Sequence, residues 1–479
     1  MADTPLDAPT DPDGRARDAV RALVAAGVVS GPAVHDSRAI TPGALYACLR
    51  GTHFDGHDFA PAALGAGAAA LLVDHLVDGV DPAVQVVVDD TRRRLGPVAA
   101  LLAGDPSAAL TTVGITGTNG KTTTAEMLAA ILRAVGHPTG VVGTLHGPRT
   151  TPEAPELQAT LRGFADAGDT AAVLEVSSHA LALHRVRGTR FDAVVFTNLG
   201  HDHLDLHGSP EEYFRAKASL FDAEYAPVGV VNVDDIHGRL IADAAPIRIV
   251  PYSLDDADGL EVTPTAHRFV WRGEDVVVPL GGRFNVWNSL AALTTAAELG
   301  IAPDVAAAAL ATIAQVPGRF EIVDSPAAAE RGITVVVDYA HTPDGLAVLL
   351  DAARAAADGG AVIAVFGCGG ERDREKRPEM GAVAAAGADQ VFVTSDNPRG
   401  EDPMAIIDEI VAGIDPAVRA GVTTEPDRAA AICRAIAAAR SGDVVVVAGK
   451  GHERTQEFAG GTIDFDDRLV AARCLEDVA

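Results

Sequence analysis

Short apolar runs rich in Val and Ile alternate with longer stretches of helix formers along most of this chain. In the middle, runs at 111–117, 171–176, 192–197 and 228–233 have the length and β-branched content of buried strands. Nearer the end, runs at 334–337, 362–366, 390–394 and 443–448 are short, apolar and separated by helical patterns. Strands apolar on both faces, alternating with helices, predict mostly parallel sheets covered on both sides. The first part is less regular, with strands predicted at 43–49 and 86–88. Residues 1–14, rich in Pro and Asp, are expected to form a mobile tail. The 479 residues exceed what a single core organises. The predicted fold class is α/β. A small α/β unit occupies 15–106, a phosphate-loop domain with a parallel sheet 107–316, and a second doubly wound, Rossmann-like domain 317–479.

Chemistry concentrates where the predicted strands end. The first middle strand runs into Gly117-Thr118-Asn119-Gly120-Lys121-Thr122-Thr123, followed by a helical pattern. Glycines let successive amides face one point, and a helix start adds its positive end, so this order suits phosphate. Lys121 can reach outer phosphates, and the Thr122 hydroxyl can ligate Mg²⁺. The spacing is unusual: the common form has a glycine five positions before Gly120, where Ile115 stands. Other strand ends carry Thr150-Thr151, Glu175 with Ser177, and Gly200-His201-Asp202-His203. A carboxylate and a His-Asp-His cluster beside a phosphate loop suit Mg²⁺. Lys217 lies in a polar helical segment, and pattern alone makes it a solvated helix lysine.

The last region loads four more strand ends: Asp338 with His341; 367–378 with Arg372; Asp396-Asn397-Pro398-Arg399; and Gly449-Lys450-Gly451-His452-Glu453. Ligands on parallel sheets gather beyond these carboxyl ends, so four polar loops there predict a site. The strict dinucleotide glycine pattern is absent from 367–370, which disfavours a nicotinamide cofactor.

Charge and cysteines narrow the partners. A net charge of −28 argues against nucleic acid and anionic membranes. Nothing reads as a signal peptide or spanning helix. Cys48, Cys368, Cys433 and Cys474 are scattered without metal spacing, which fits a reduced cytoplasm. His53, Asp55 and His57 fall in a loop that reads as a polar turn rather than a metal site.

Seven motifs then occur in order: Gly-Thr-Asn-Gly-Lys-Thr-Thr, Glu-Val-Ser-Ser-His, Thr-Asn-Leu-x-x-Asp-His-Leu-Asp, Asp-Tyr-Ala-His-Thr-Pro, Gly-Cys-Gly-Gly-x-Arg-Asp, Asp-Asn-Pro-Arg and Gly-Lys-Gly-His-Glu. From about residue 36 to 470 the chain closely resembles the Mur ligases, in particular the tripeptide-forming type. The resemblance implies an amino-terminal UDP-binding domain, a central ATPase and a carboxyl-terminal domain that brings in the amino acid. It implies a cytoplasmic, monomeric enzyme of peptidoglycan precursor synthesis. Its substrates would be ATP, UDP-N-acetylmuramoyl-L-Ala-D-Glu and an amino acid. By matching positions, Lys121, Lys217, His203 and Glu175 would be catalytic. Gly117 to Thr123, Asn285, Arg319 and Asp338 would hold ATP. Thr122, Glu175, His203 and Lys217, the last as a carbamate, would hold Mg²⁺. Ser37, Thr150, Thr151, Ser177 and Arg185 would contact the UDP-sugar dipeptide. Leu183 departs from the family, which usually has Gln there.

The same resemblance points to meso-diaminopimelate, because its users carry Asp-Asn-Pro-Arg, here Asp396, Asn397, Pro398 and Arg399. Diaminopimelate has one more carboxylate than lysine, and Arg399 offers a planar fork for it. Arg372, Gly449 and Glu453 complete the expected amino-acid set, with Glu453 facing the distal ammonium. The alternatives are the same ligation with L-lysine or another diamino acid, a folylpolyglutamate synthase-like ligase, and a phosphate-loop nucleotide switch.

Overall fold

The computed structural model describes residues 11–51, 53–200, 202, 204–357 and 359–478. The first helix, Pro12–Ala25, starts inside the segment expected to be mobile, capped by the Asp11 side chain on the Gly14 N–H. Asp13 anchors it, bonded at 2.7 Å by both Arg94 and Arg187. Residues 12–14 therefore belong to the fold.

Strands β1 (Ala33–Val34), β2 (Leu45–Ala47), β3 (Ala70–Val73) and β4 (Gln85–Val87) form a parallel sheet in sequence order. The central sheet contains β5 (Thr111–Thr116), β6 (Thr139–Val142), β7 (Ala171–Glu175), β8 (Ala193–Phe196), β9 (Val228–Asn232) and β10 (Arg248–Tyr252). Their order is β10-β9-β8-β5-β7-β6, and every pairing is parallel. Helices Lys121–Ala134 and Phe284–Glu298 share one core with this sheet. The second helix ends at Glu298, with Gly300 just beyond it in the left-handed region at φ 86°. An antiparallel meander missing from the sequence prediction completes that core: β11 (Asp258–Val262), β12 (His267–Trp271) and β13 (Glu274–Val278). It contributes Phe269, Trp271, Val276 and Val278.

The last sheet holds β14 (Glu321–Ile322), β15 (Thr334–Asp338), β16 (Val362–Phe366), β17 (Gln390–Val393), β18 (Val422–Thr424) and β19 (Val444–Ala448), in the order β14-β15-β19-β16-β17-β18. Only β14 pairs antiparallel among them. A hairpin follows, β20 (Thr455–Phe458) and β21 (Gly461–Asp464). The final helix, Asp467–Val478, packs on Arg428–Ala438. Cys433 and Cys474 are disulfide-bonded between these helices, with Cα atoms 5.0 Å apart. This corrects the picture of four unrelated thiols; a separation of 41 residues hid the pair. Among the described residues, no helix is long and apolar enough to cross a membrane.

At the foot of the same helix pair, fully buried Arg428 meets fully buried Asp467 through two bonds of 2.7 Å. Arg428 also donates to the carbonyls of Ser395 and Ala448, at 3.2 and 2.9 Å. Removing one partner leaves an uncompensated buried charge. Arg428→Ala should therefore lower unfolding stability by about 3–5 kcal/mol in chemical denaturation. A loss below about 1 kcal/mol would show that the pair contributes little.

Candidate functional site

At the end of β5 the chain turns into the helix Lys121–Ala134 through two glycines that nothing else can replace. Gly117 has φ 149°, and a Cβ there would lie 1.9 Å from Thr197 Oγ1. Gly120 has φ 86°, and its Cβ would lie 2.4 Å from Asn288 Oδ1. The Asn119 N–H donates to Asn198 Oδ1 at 2.9 Å. Thr118 Oγ1 lies 2.9 Å from the Tyr213 hydroxyl and accepts the Gly200 N–H at 2.9 Å. The loop is thus fixed from the next strand end and from the helix Pro210–Ala218.

Two lysines converge on it. Lys121 Nζ donates to the carbonyls of Gly117 and Thr118, both at 2.8 Å. Lys217 Nζ donates to the same Gly117 carbonyl at 2.8 Å and lies 4.6 Å from the Tyr213 ring centroid. Lys217 is 1% exposed, so the prediction of a solvated lysine fails. Tertiary packing buries a helix whose own sequence is polar. Burial, with Arg319 nearby, pushes the Lys121 ammonium below its ordinary range against the pull of Glu175 and Asp202. Burial and then the charge of Lys121 push Lys217 well below its own.

Glu175, at the end of β7, accepts the Thr122 hydroxyl at 2.9 Å. It also accepts the Thr144 N–H at 2.8 Å and the Thr144 hydroxyl at 3.2 Å. Gly143 permits this approach, since a Cβ there would lie 2.2 Å from Glu175 Oε1. Thr144 had no local signal in the sequence, because β6, the strand that delivers it, is only four residues long. His203 lies outside the described residues. Asp202 lines the same cleft.

The cleft holds about 600 Å³ and lies between the central and last domains. Thr118 to Thr123, Thr150, Glu175 and Ser177 line one side, and Arg319 and 338–342 the other. Arg319 crosses it, donating to Thr122 Oγ1 at 3.2 Å while stacking 4.4 Å from the Tyr339 ring centroid. Asp338 accepts the Phe320 and Ala340 N–H groups at 2.6 and 2.7 Å. Burial raises the Asp338 carboxyl despite Arg319. Asn285 is buried behind the wall, donating to the Gly281 carbonyl at 2.7 Å and accepting from Asn288 at 2.9 Å. Asn288, which the sequence analysis did not single out, is the one that reaches the cleft.

The remaining predicted residues fall in three places. Thr150 Oγ1 lies 3.1 Å from Thr144 Oγ1. Thr151 is buried, its hydroxyl donating to the Glu175 carbonyl at 2.7 Å and accepting the Ser177 N–H at 3.0 Å. Arg185 donates to the Thr151 carbonyl at 3.2 Å and pairs with Glu153 at 2.7 Å. Ser37 stands in the turn Ser37–Ala39 of the first domain and does not line the cleft.

The second cluster adjoins the first through the Gly449 N–H, which donates to the Asp338 carbonyl at 3.1 Å. Asp396 is buried under Gly449, whose Cβ would lie 2.8 Å from Asp396 Oδ2. Fully buried Lys450 donates to Asn397 Oδ1 at 2.9 Å and to Glu453 Oε2 at 2.8 Å. Burial alone would raise the Glu453 carboxyl, but Lys450 and Asn397 hold it below the usual range. The Pro398 carbonyl is approached by Gly370, whose Cβ would lie 1.9 Å from it. Arg399 donates from Nη1 to the Gly370 carbonyl at 2.8 Å, and Arg372 is exposed nearby. In the first domain, His57 Nδ1 lies 2.6 Å from Asp55 Oδ1. Ligand atoms of His57, Asp74 and His75 lie within 4.8 Å of one another, and Arg50 Nη2 donates to Asp74 at 3.0 Å.

Comparisons with known proteins agree with this arrangement. Residues 34–100 match the family model described as Mur ligase family, catalytic domain; 115–296 match Mur ligase middle domain; and 318–451 match Mur ligase, glutamate ligase domain. The chain is 44% identical over 471 residues to a Streptomyces avermitilis protein named UDP-N-acetylmuramoyl-L-alanyl-D-glutamate–2,6-diaminopimelate ligase, covering 92% of each. A protein of the same name from Gloeobacter violaceus is 45% identical over 462 residues, again covering 92% of each. A solved structure of a protein with that name is similar at a TM-score of 0.66 and 34% identity, covering 93% of this chain and 94% of its own.

Two glycines test whether loop geometry governs nucleotide binding. Gly136, at φ 83°, has nothing within 4 Å of its Cβ position, so Gly136→Ala meets only backbone strain. Gly117→Ala forces the loop aside and should weaken ATP binding at least about tenfold, measured by titration calorimetry. Equal affinities for the two variants would show that the loop does not hold the nucleotide.

Proposed function

The chain belongs to the Mur ligase family, and on that premise we propose that it joins meso-diaminopimelate to the D-glutamyl carboxylate of UDP-N-acetylmuramoyl-L-Ala-D-Glu, converting ATP to ADP and phosphate. The observation that carries this reading is the junction of two clusters. A phosphate loop with two lysines opens on the same cleft as Arg319; Gly449 bonds Asp338 at its wall, and the neighbouring Lys450 bonds Asn397 of the Asp396 to Arg399 loop.

A carboxylate is a poor electrophile, so it must be activated. Its oxygen attacks the γ-phosphorus of ATP and the bond to ADP breaks, giving an acyl phosphate. The amine of diaminopimelate then attacks the acyl carbon, the amine loses a proton, and phosphate leaves. The first step brings two anions into line, and their repulsion must be offset. Lys121 and Arg319 supply positive charge from opposite walls, and the loop amides add donors. The Thr122 hydroxyl and Glu175 carboxylate, 2.9 Å apart, are oxygen ligands of the kind Mg²⁺ takes. We assign His203 and a carbamylated Lys217 to the same set by family match. When bound, the metal neutralises charge on the transferring phosphoryl group.

Burial supports the Lys217 assignment. Carbamylation needs a neutral amine, and burial beside Lys121 shifts Lys217 toward that form. The amine nitrogen bonds the carbon of CO₂ and releases a proton. The product is an anion beside Lys121, where an ammonium is repelled. Ser37, Thr150, Ser177 and Arg185 are assigned to the UDP-sugar dipeptide. Thr151 joins them by shaping the loop, since its hydroxyl is occupied by Glu175 and Ser177 backbone. Arg399 is assigned to the carboxylate that lysine lacks, with Arg372 and Glu453 completing the pocket. We place the enzyme in the cytoplasm as a monomer with small-molecule partners, bound to neither nucleic acid nor membrane.

Phosphate release should require ATP, UDP-N-acetylmuramoyl-L-Ala-D-Glu and diaminopimelate together. Release that ignores the other two substrates would indicate a nucleotide switch. Lys217→Ala should reduce ligation at least about a hundredfold, as for other electrostatic deletions, and acetate should partly restore it. Full activity without acetate would remove the carbamate from the scheme.

A further inference from the structure

The hairpin of β20 and β21 has no part in the scheme above, yet β20 grips the 396–399 loop along its length. Gln456 Nε2 donates to the Asp396 carbonyl at 2.7 Å. The Glu457 N–H donates to Asn397 Oδ1 at 3.1 Å. The Arg399 N–H donates to the Glu457 carbonyl at 3.0 Å, and Arg399 and Phe458 form a parallel bridge. Arg399 needs this support, because its backbone sits in the left-handed region at φ 53°, which residues with a Cβ avoid. The side chain is held as well: Glu457 Oε2 lies 2.8 Å from Arg399 Nε.

These contacts decide which edge of the guanidinium faces a ligand. The Glu457 carboxylate stands beside Nε as an ion pair, and Nη1 donates to the Gly370 carbonyl. A ligand carboxylate approaching on the Nε–Nη2 side would meet the like charge of Glu457, so it is steered toward the end of the fork, where Nη2 stands. The Glu457 side chain is 46% exposed, so the pair itself adds little stability, and orientation is what it provides. We propose that Glu457 is a positioning residue for amino-acid choice, fixing Arg399 so that it accepts the second carboxylate of diaminopimelate end-on. The proposal rests on the assignment of Arg399 made above.

The test compares wild type, Glu457→Ala and Glu457→Gln in steady-state kinetics with meso-diaminopimelate and L-lysine, alongside thermal unfolding. The backbone contacts survive both substitutions, so unfolding temperatures should stay close to wild type. Glu457→Ala should raise KM for diaminopimelate about tenfold, with kcat changed by less than about threefold. Its preference for diaminopimelate over lysine, as a ratio of kcat/KM values, should fall by a similar factor. Glu457→Gln keeps an acceptor for Nε and should fall between the two. The proposal is overturned if KM for diaminopimelate does not rise, if the two amino acids decline in parallel, or if Gln is no better than Ala. A wild type without preference for diaminopimelate overturns the Arg399 assignment itself, whatever the variants do.

Discussion

Pairing of β5 with β7 on one side and β8 on the other brings three strand ends to one point of the central domain. Because the strands are parallel, everything that follows them emerges on the same edge. Gly117 to Thr122 follows β5, Ser177 follows Glu175 at the end of β7, and Asn198 to Asp202 follows β8. The Thr122–Glu175 bond and the Asn119–Asn198 bond are direct consequences of that register. So is the position of Lys217, whose helix follows β8 and reaches back to the Gly117 carbonyl. Lys121 and Lys217 both bond the Gly117 carbonyl, and Lys121, with Arg319 across the cleft, brings positive charge to the loop of a chain of net charge −28. Local cations rather than the overall field of the chain therefore suit this loop to an anion.

The last domain repeats the principle with different side chains. β15 and β19 pair in parallel, Asp338 opposite Ala448, so the 338–342 and 449–453 loops rise side by side. One faces the phosphate loop across the cleft, and the other meets the Asp396 to Arg399 loop. Buried Arg428 stiffens that second group from below, bonding Asp467 and the carbonyls of Ser395 and Ala448. The phosphate loop and the Asp396 to Arg399 loop thus follow strands of two different sheets that meet near one cleft. This geometry fits a reaction with an intermediate passed between two steps.

How much of this was legible in the sequence depended on whether a feature is local. Strands apolar on both faces announced themselves, and the predicted runs at 362–366 and 443–448 lie within a residue of β16 and β19. The meander of β11 to β13 escaped because only one of its faces is buried: His267, Phe269 and Trp271 point inward while Arg268 is exposed. β6 escaped because it is four residues long and contains a glycine, and Thr144 was lost with it. Burial of Lys217 is set by Gly117, 100 residues earlier, which no helical pattern can reveal. Glu457 lies beyond the Gly-Lys-Gly-His-Glu motif, and its link to Arg399 exists only once β20 is laid along the loop.

The central claim concerns which bond is made and to what. Purified protein incubated with ATP, Mg²⁺, UDP-N-acetylmuramoyl-L-Ala-D-Glu and one amino acid at a time should be assayed by mass spectrometry of the nucleotide product. The panel includes meso-diaminopimelate, L-lysine, ornithine and diaminobutyrate. The account predicts a product heavier by one diaminopimelate residue, formed far faster than any other and accompanied by one phosphate for each bond. A faster lysine, ornithine or diaminobutyrate product, or ATP turnover with no added residue, would contradict it.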